Sequence, residues 1–286
     1  MKHDYSLAHL TVLSLTPPQV VDVAARTGYR YVGLRVTRVT PDEVLYDLAR
    51  DKALMRETKA RLAATGVVVN DVELFRMDPK LGPEDFIPEL EASAELGAQH
   101  VIAQLPDPDR ERATERFARL CDLAKPLGIF VSLEFPHWTE TGNLATATQV
   151  MRAVNRTNAG ILVDMLHFGR SDSTVEELAK LPREWFRFAH VCDAAKEVPP
   201  TLAGIIHTAR DERQFPGEGG IDVRGILAAL PQHIPYALEI PRVALTKAVG
   251  PEEVARLALL VSRSQLDVGD EFADTRDLGH HHRTAA

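Results

Sequence analysis

The chain has 286 residues, of which 45% are hydrophobic and 26% charged, and its 33 basic against 41 acidic residues give a formal net charge of −8. This apolar content excludes a disordered chain, and the acidic balance argues against a nucleic-acid binder, because phosphate backbones require a basic face. The apolar runs are too short to span a bilayer, and the N-terminus lacks the apolar segment of a secretory signal. With only Cys121 and Cys192, no disulfide framework is expected, so the sequence predicts a cytoplasmic globular protein without membrane or nucleic-acid partners.

Apolar runs rich in Val, Ile and Leu alternate along the chain with longer segments of helical periodicity. Such continuous runs are typical of parallel strands that are covered on both faces. The predicted strands are residues 5–15, 31–36, 67–74, 100–105, 129–134, 160–164, 186–192 and 236–240. The helices predicted to follow them are residues 17–25, 52–64, 86–96, 112–127, 143–154, 173–181, 223–230 and 252–262.

Eight strand–helix units of this kind predict a (β/α)8 TIM barrel, a fold that typically takes ~250 residues. A doubly wound open sheet is the alternative, but it usually carries a glycine-rich phosphate loop, and none follows any predicted strand. We therefore expect a barrel domain over residues 1–266 and a polar, disordered tail over residues 267–286, whose His280–His282 run we interpret as incidental. The connection over residues 194–221 is unusually long, which favours a place at the active site.

Charged or imidazole side chains end four consecutive predicted strands, the fifth to the eighth. They are Glu134, Asp164 with His167, His190 with Asp193, and Glu239. The carboxyl ends of barrel strands meet at one mouth, so these groups should lie together. Two glutamates, an aspartate and a histidine suit a divalent ion such as Mn²⁺, Mg²⁺ or Co²⁺, and the absence of cysteine argues against a structural zinc site. One such residue is more often merely solvated, but four in succession predict a metal site.

The same four strand ends carry the metal ligands of a known superfamily, the xylose isomerase-like TIM barrels. In order and strand position the matching residues are Glu134, Asp164, His190 and Glu239. This superfamily comprises sugar isomerases, sugar epimerases and inosose dehydratases, with endonuclease IV as a distant relative. The resemblance is strongest over residues 129–241 and fades to the level of the fold over the first hundred residues.

The resemblance implies a divalent-metal-dependent sugar isomerase or epimerase of carbohydrate metabolism that acts on a small ketose or polyol. Glu134 and Glu239 would be catalytic as well as ligating, one abstracting a proton next to a carbonyl and the other returning it. Asp164 and His190 would be purely structural ligands. Mn²⁺ is the preferred ion, with Mg²⁺, Co²⁺ or Zn²⁺ as alternatives. The binding partner would be a small sugar or cyclic polyol, and whether it is phosphorylated stays open. Whether the protein forms a homo-oligomer also stays open.

Two further motifs resemble substrate-binding elements of this family. His167, three residues after Asp164, resembles the histidine of the D-x-x-H element of ketose 3-epimerases, which contacts substrate. Arg213 begins a segment similar to the R-x-x-P-G-x-G element that follows the seventh strand, and it would clamp a substrate oxygen anion or carboxylate. The alternative for Arg213 is a salt bridge to Asp211 or Glu218 in its own loop.

Other residues near the mouth are additional candidates. Arg213 follows the seventh strand by a longer loop than the epimerase element has, so Asp193 and Lys196 are expected to replace or supplement it. His137 would be a substrate-binding acid or a histidine packed beside Trp138. Arg35 and Glu73, at the ends of the second and third strands, are interpreted as solvated rim charges.

Three other functions are weighed against the isomerase. A hydro-lyase of the inosose or 3-dehydroshikimate type would use the same metal, with His137 or His167 donating a proton to the leaving hydroxyl. A DNA-repair endonuclease would need several metals, and the early strands offer only His9, Glu73 and His100 as ligands. A non-catalytic metal-binding or ligand-binding barrel is the third.

Overall fold

Eight parallel strands close into a barrel in chain order. The computed structural model describes residues 3–267. The strands are β1 (Tyr5–Leu7), β2 (Tyr31–Arg35), β3 (Val68–Arg76), β4 (His100–Gln104), β5 (Phe130–Glu134), β6 (Ala159–Asp164), β7 (Ala189–Val191) and β8 (Tyr236–Leu238). Each strand pairs with its neighbours along the chain, and β8 pairs with β1 in the register Leu7 to Leu238. The predicted (β/α)8 barrel is confirmed.

Helices cover the outside of this barrel. They are α1 (Pro17–Thr27), α2 (Lys52–Thr65), α3 (Ile87–Glu95), α4 (Arg110–Ala124), α5 (Leu144–Val154), α6 (Met165–Arg170), α7 (Val175–Leu178), α8 (Leu202–Asp211), α9 (Val223–Ala229), α10 (Val243–Val249) and α11 (Pro251–Leu266). The first begins at a capping box of Thr16 and Gln19 and ends at Gly28, whose φ of 92° is favourable for glycine. None of the helices described is long and apolar enough to cross a membrane.

The apolar core has two layers, which explains why the strands are apolar along their whole length. The larger layer lies between the strands and the helices. A small inner cluster fills the barrel with Leu74, Ile102, Leu162, Phe188 and Ala237. Because side chains of a strand alternate between its two faces, an inward position at the carboxyl end of a strand faces the mouth above this inner cluster.

Several predicted boundaries differ from the structure. The first strand stops at Leu7 rather than at residue 15, and a 3-10 helix (His9–Val12) turns across the end of the barrel. Thr11 holds this turn, since its hydroxyl donates to the Leu238 carbonyl at 2.8 Å and accepts from the Ile240 N–H at 2.7 Å. Val12 is therefore buried by the turn and not by strand pairing, and Leu10, Leu13 and Leu15 stay partly exposed.

The second half of the barrel contains three helices that the sequence did not lead us to expect. The first is α6, which begins directly after Asp164. The helix predicted over residues 173–181 is reduced to the single turn α7. The second is α8, in the long connection after β7, and the third is α10, directly before the last helix. The predicted tail, with the His280–His282 run, falls outside the described residues apart from Asp267.

Candidate metal centre

Four buried side chains converge at the carboxyl end of the barrel. Glu134 and Asp164 are the last residues of β5 and β6, His190 lies in β7, and Glu239 directly follows β8. One ligand atom from each lies within 4.8 Å of the others. The His190 Nδ1 is 3.6 Å from Glu134 Oε1, 3.7 Å from Asp164 Oδ2 and 3.2 Å from Glu239 Oε2. The structure thus brings together the four residues that the sequence predicts as ligands.

The chemistry of this cluster fits a divalent cation. Both ring nitrogens of His190 are buried, and neither makes a hydrogen bond. Buried polar atoms are rarely left without a partner, and three carboxylates beside a free imidazole nitrogen supply the oxygen and nitrogen ligands that Mn²⁺, Mg²⁺ and Zn²⁺ accept. We infer that one ion can be held by these four residues, and that the donor set does not select one metal.

The charges of the cluster act on each other strongly. Burial by itself lowers the pKa of His190, but the Glu239 and Glu134 carboxylates together raise it well above its ordinary value. Burial raises the pKa of Glu239, whereas the His190 and Arg213 charges hold it well below the ordinary value. The carboxylates therefore create a negative potential that favours any cation placed among them.

Arg213 is bound directly to two of the four residues. Its guanidinium is buried, donates to Asp164 Oδ2 at 2.6 Å and forms an ion pair with Glu239 Oε2 at 2.8 Å. Neither predicted salt bridge within its own loop forms, because Asp211 contacts His207 and Glu218 contacts Arg242 instead. Arg213 also lines the mouth. It therefore orients two of the candidate ligands and still borders the space in which a substrate would lie.

His167 and His137 form a pair beside the centre. The His167 backbone N–H donates to Asp164 Oδ1 at 3.0 Å, and the Nδ1 atoms of the two histidines are 3.2 Å apart. Trp138 packs edge-on against both rings, with centroids 4.9 Å away. Burial lowers the pKa of His137 to about 3 and also lowers the pKa of His167. His167 and Trp138 line the mouth, whereas His137 supports His167 from behind.

Asp193 and Lys196 do not reach the centre. Asp193 is buried, and its two carboxylate oxygens accept backbone N–H groups from the next residue and from the loop that precedes α9. The donors are Ala194, Gly217, Gly219 and Ile221. Lys196 is exposed, and its backbone carbonyl accepts a hydrogen bond from Arg170 at 3.0 Å. Asp193 therefore holds the loop in place, and the Lys196 side chain lies outside the site.

The prediction that Arg35 and Glu73 are solvated rim charges is wrong. Both are buried, and their side chains pair at 3.3 Å. Arg35 also pairs with Glu43 at 3.1 Å, from the segment between β2 and α2 that covers this part of the mouth. Burial raises the pKa of Glu73 to about 7, although Arg35 opposes the shift.

Gln104 is a site residue that the sequence analysis missed. It ends β4, lines the mouth, and donates its side-chain N–H to Glu134 Oε2. Its place at the end of an apolar run, the same place as that of the four candidate ligands, is the sequence signal that marks it. Arg76, at the end of β3, and Arg210, on α8, also line the mouth and were missed.

Comparison with known proteins agrees with this fold. A family model described as a xylose isomerase-like TIM barrel matches residues 21–264. An inosose isomerase of Bacillus velezensis is 26% identical over 231 residues, which cover 74% of this chain and 78% of the relative. A 3-dehydroshikimate dehydratase of Pseudomonas aeruginosa is 30% identical over 112 residues, covering 38% of this chain and 17% of that protein.

Two solved structures have the same fold. The IolI protein with a bound zinc atom superposes with a TM-score of 0.76 at 19% identity, covering 92% of this chain and 98% of that one. The D-allulose 3-epimerase of a Methylomonas species, in complex with D-allulose, superposes with a TM-score of 0.68 at 18% identity, covering 92% and 97%. At these identities the likeness concerns the fold.

Proposed function

Because the chain belongs to the xylose isomerase-like TIM barrel family, we propose that it is a divalent-metal-dependent isomerase or epimerase of a small ketose or cyclic polyol. The observation that carries the proposal is the convergence of Glu134 and Glu239, from strands three apart around the barrel, on one buried cation-binding cluster. Its relatives include enzymes named inosose isomerase, which match about three quarters of the chain.

Four residues, Glu134, Asp164, His190 and Glu239, would hold the ion. When bound, the ion would stabilise negative charge on a substrate oxygen next to the reacting carbon. One of the two glutamates removes the proton from the carbon beside the carbonyl, and the other delivers a proton to the substrate. Gln104 fixes one oxygen of Glu134, and Arg213 fixes one oxygen of Glu239, so that each carboxylate keeps its orientation.

His167 and Trp138 would orient the substrate. The His167 ring lines the mouth and is held by His137 on one nitrogen, so it is placed to hydrogen-bond a hydroxyl or the carbonyl. Trp138 offers an aromatic surface to the C–H groups of a sugar.

A dehydratase of the inosose or 3-dehydroshikimate type is the second candidate. The 30% identity to a 3-dehydroshikimate dehydratase favours it, and so does the pair of His137 and His167, from which a proton donor for a leaving hydroxyl can come. The isomerase ranks first because its relatives match 74% of this chain, whereas the dehydratase matches 38%.

Hydrogen exchange and product analysis test the proposal. Protein stripped with a chelator and reloaded with Mn²⁺ is incubated in D₂O with D-fructose, D-allulose, inosose and 3-dehydroshikimate. The isomerase is expected to incorporate deuterium next to the carbonyl and to interconvert ketones. Glu239→Gln should lower this rate by a factor on the order of 10² to 10⁴. An ultraviolet-absorbing unsaturated product without interconversion would assign the dehydratase, and no reaction on any ketone would refute both.

Metal binding is measured separately by calorimetry. The wild-type protein should bind one Mn²⁺ per chain, and Glu239→Gln should weaken this binding because it removes one of three carboxylate ligands. Glu253→Gln is the matched control, since Glu253 is a partly exposed glutamate on α11 that pairs with Arg256. Equal affinities of the two variants would contradict the assignment of Glu239 as a ligand.

A further inference from the structure

Among the described residues, two arginines at the mouth have no acidic partner. Arg76 ends β3, and Arg210 lies on the last turn of α8, and both are half-buried and line the same cavity as the candidate metal ligands. Within residues 3–267, neither guanidinium makes a hydrogen bond or an ion pair. The other two arginines of the cavity differ in this respect, because Arg35 pairs with Glu73 and Arg213 with Glu239.

The carboxylates near Arg76 and Arg210 are already engaged. Glu43, whose charge acts on Arg210, pairs with Arg35 at 3.1 Å and accepts the Val39 N–H at 2.9 Å. The residues that line the cavity include four arginines against three glutamates. The charges of Arg35 and Arg213 are paired with carboxylates, so the positive charges that remain unpaired at the mouth, among residues 3–267, are those of Arg76 and Arg210.

The placement of these two charges is unfavourable without a ligand. Burial lowers the pKa of Arg210, and the charge of Arg76 lowers it further. Two like charges that are partly withdrawn from water repel each other. An oxyanion placed between them attracts both and so offsets this repulsion. Guanidinium groups are also the side chains best shaped to bind carboxylate and phosphate through paired N–H groups.

We propose that Arg76 and Arg210 bind a terminal oxyanion, a carboxylate or a phosphate, on the polyhydroxy ketone that reacts at the centre. This inference rests on the proposed function and adds to it that the substrate is anionic at the end remote from the reacting carbon. In the part of the chain that the structure describes, no glycine lines the cavity. Phosphate sites are commonly built from glycine-rich backbone N–H groups, so a carboxylate is the closer fit.

Three ketoses that differ only at C6 test the proposal. They are D-fructose, which is neutral, D-fructuronate, which has a carboxylate, and D-fructose 6-phosphate. Binding to the Mn²⁺-loaded protein is measured by calorimetry at low ionic strength, with Trp138 fluorescence as a second readout. We expect at least one anion to bind roughly tenfold tighter than D-fructose, since charge-assisted hydrogen bonds contribute strongly to binding. Added salt should reduce this preference.

Substitution of the two arginines shows whether they cause the preference. In the double variant Arg76→Gln with Arg210→Gln, the ratio of the D-fructose Kd to the anion Kd should fall towards one. Arg76→Lys with Arg210→Lys should keep part of the ratio, because the charges remain without the paired geometry. Arg152→Gln is the matched control, an exposed arginine on α5 remote from the mouth, and it should leave the ratio unchanged.

The outcomes separate this inference from the proposed function. Tighter binding of D-fructuronate assigns a carboxylate, and tighter binding of D-fructose 6-phosphate assigns a phosphate. Equal Kd values, no binding of any of the three, or a ratio that survives in the double glutamine variant would overturn the proposal. A protein that prefers anions yet transforms no ketone would refute the proposed function alone, and one that isomerises neutral ketoses without anion preference would refute this inference alone.

Discussion

Replacement of Asp193 by alanine is expected to destabilise the protein without removing a candidate ligand. Asp193 is 1% exposed, and its carboxylate accepts four backbone N–H groups at 2.8 to 3.0 Å, three of them from residues 217–221. Its own backbone pairs with Gln214 in both directions at 2.8 Å, next to Arg213. The carboxylate therefore fixes the return of the long connection to the barrel.

The magnitude follows from these four bonds. A hydrogen bond to a charged group contributes about 1.5 to 3 kcal/mol, but the glycines of this loop are exposed, so water can replace part of what is lost. We expect Asp193→Ala to lower the free energy of unfolding by about 3 to 5 kcal/mol. Urea denaturation followed by circular dichroism measures this loss.

A second aspartate of the same loop is the control. Asp222 is exposed and accepts one N–H, that of Gly225 at 3.0 Å, as the N-cap of α9. Asp222→Ala should therefore cost about 1 kcal/mol. If Asp193→Ala cost no more than Asp222→Ala, the loop would not depend on the buried carboxylate and the reasoning would be refuted.

Three further predictions concern stability. Arg213→Met should lower the free energy of unfolding of the metal-free protein by about 3 to 5 kcal/mol, because two buried carboxylates lose their partner. Added Mn²⁺ should restore part of this stability. A decrease below about 1 kcal/mol in urea titrations with chelator would contradict the prediction. Burial holds the pKa of His9 at about 4, below its ordinary 6.5, so the unfolded chain binds the proton first and stability falls as pH drops from 6.5 to 4. This contribution is on the order of 3 kcal/mol, and His9→Gln should flatten the decline in urea titrations over this range. Gly160→Ala should lower the Tm, since a methyl group there would collide with the backbone carbonyl oxygen of Trp185 and meet the Phe130 ring at 2.6 Å, which should lower the free energy of unfolding by at least about 2 kcal/mol.

The four candidate ligands could be predicted because their positions depend on the strands alone. Glu134, Asp164, His190 and Glu239 each lie at the carboxyl end of an apolar run, and closure of a parallel barrel brings such ends together whatever the loops do. The strand–helix alternation predicts that closure from the sequence. Strand position thus predicts both the fold and the residues that could hold a metal.

The contacts of Arg213 could not be predicted in the same way. Its partners depend on the path of the connection after β7, and the sequence analysis treated that segment as a loop. A signal for α8 was present, since Thr201 caps a segment with apolar residues at 202, 205, 206 and 209, a helical spacing. Arg35 and Glu73 were misjudged for a related reason, because the segment between β2 and α2, which carries Glu43 and covers both side chains, was given no structure in the sequence analysis.

The connection after β7 separates two tasks at the mouth. Arg210 lies in the last turn of α8 and Arg213 follows it three residues later, yet Arg213 is buried against Asp164 and Glu239 whereas Arg210 faces the cavity. The candidate ligands belong to the strands, which the whole barrel holds in place. In the proposed enzyme, residues at the strand ends would therefore transfer the protons. The connection held by Asp193 would contribute to anion binding through Arg210. Sequence change within residues 197–210 should then alter which substrate binds before it alters how that substrate reacts.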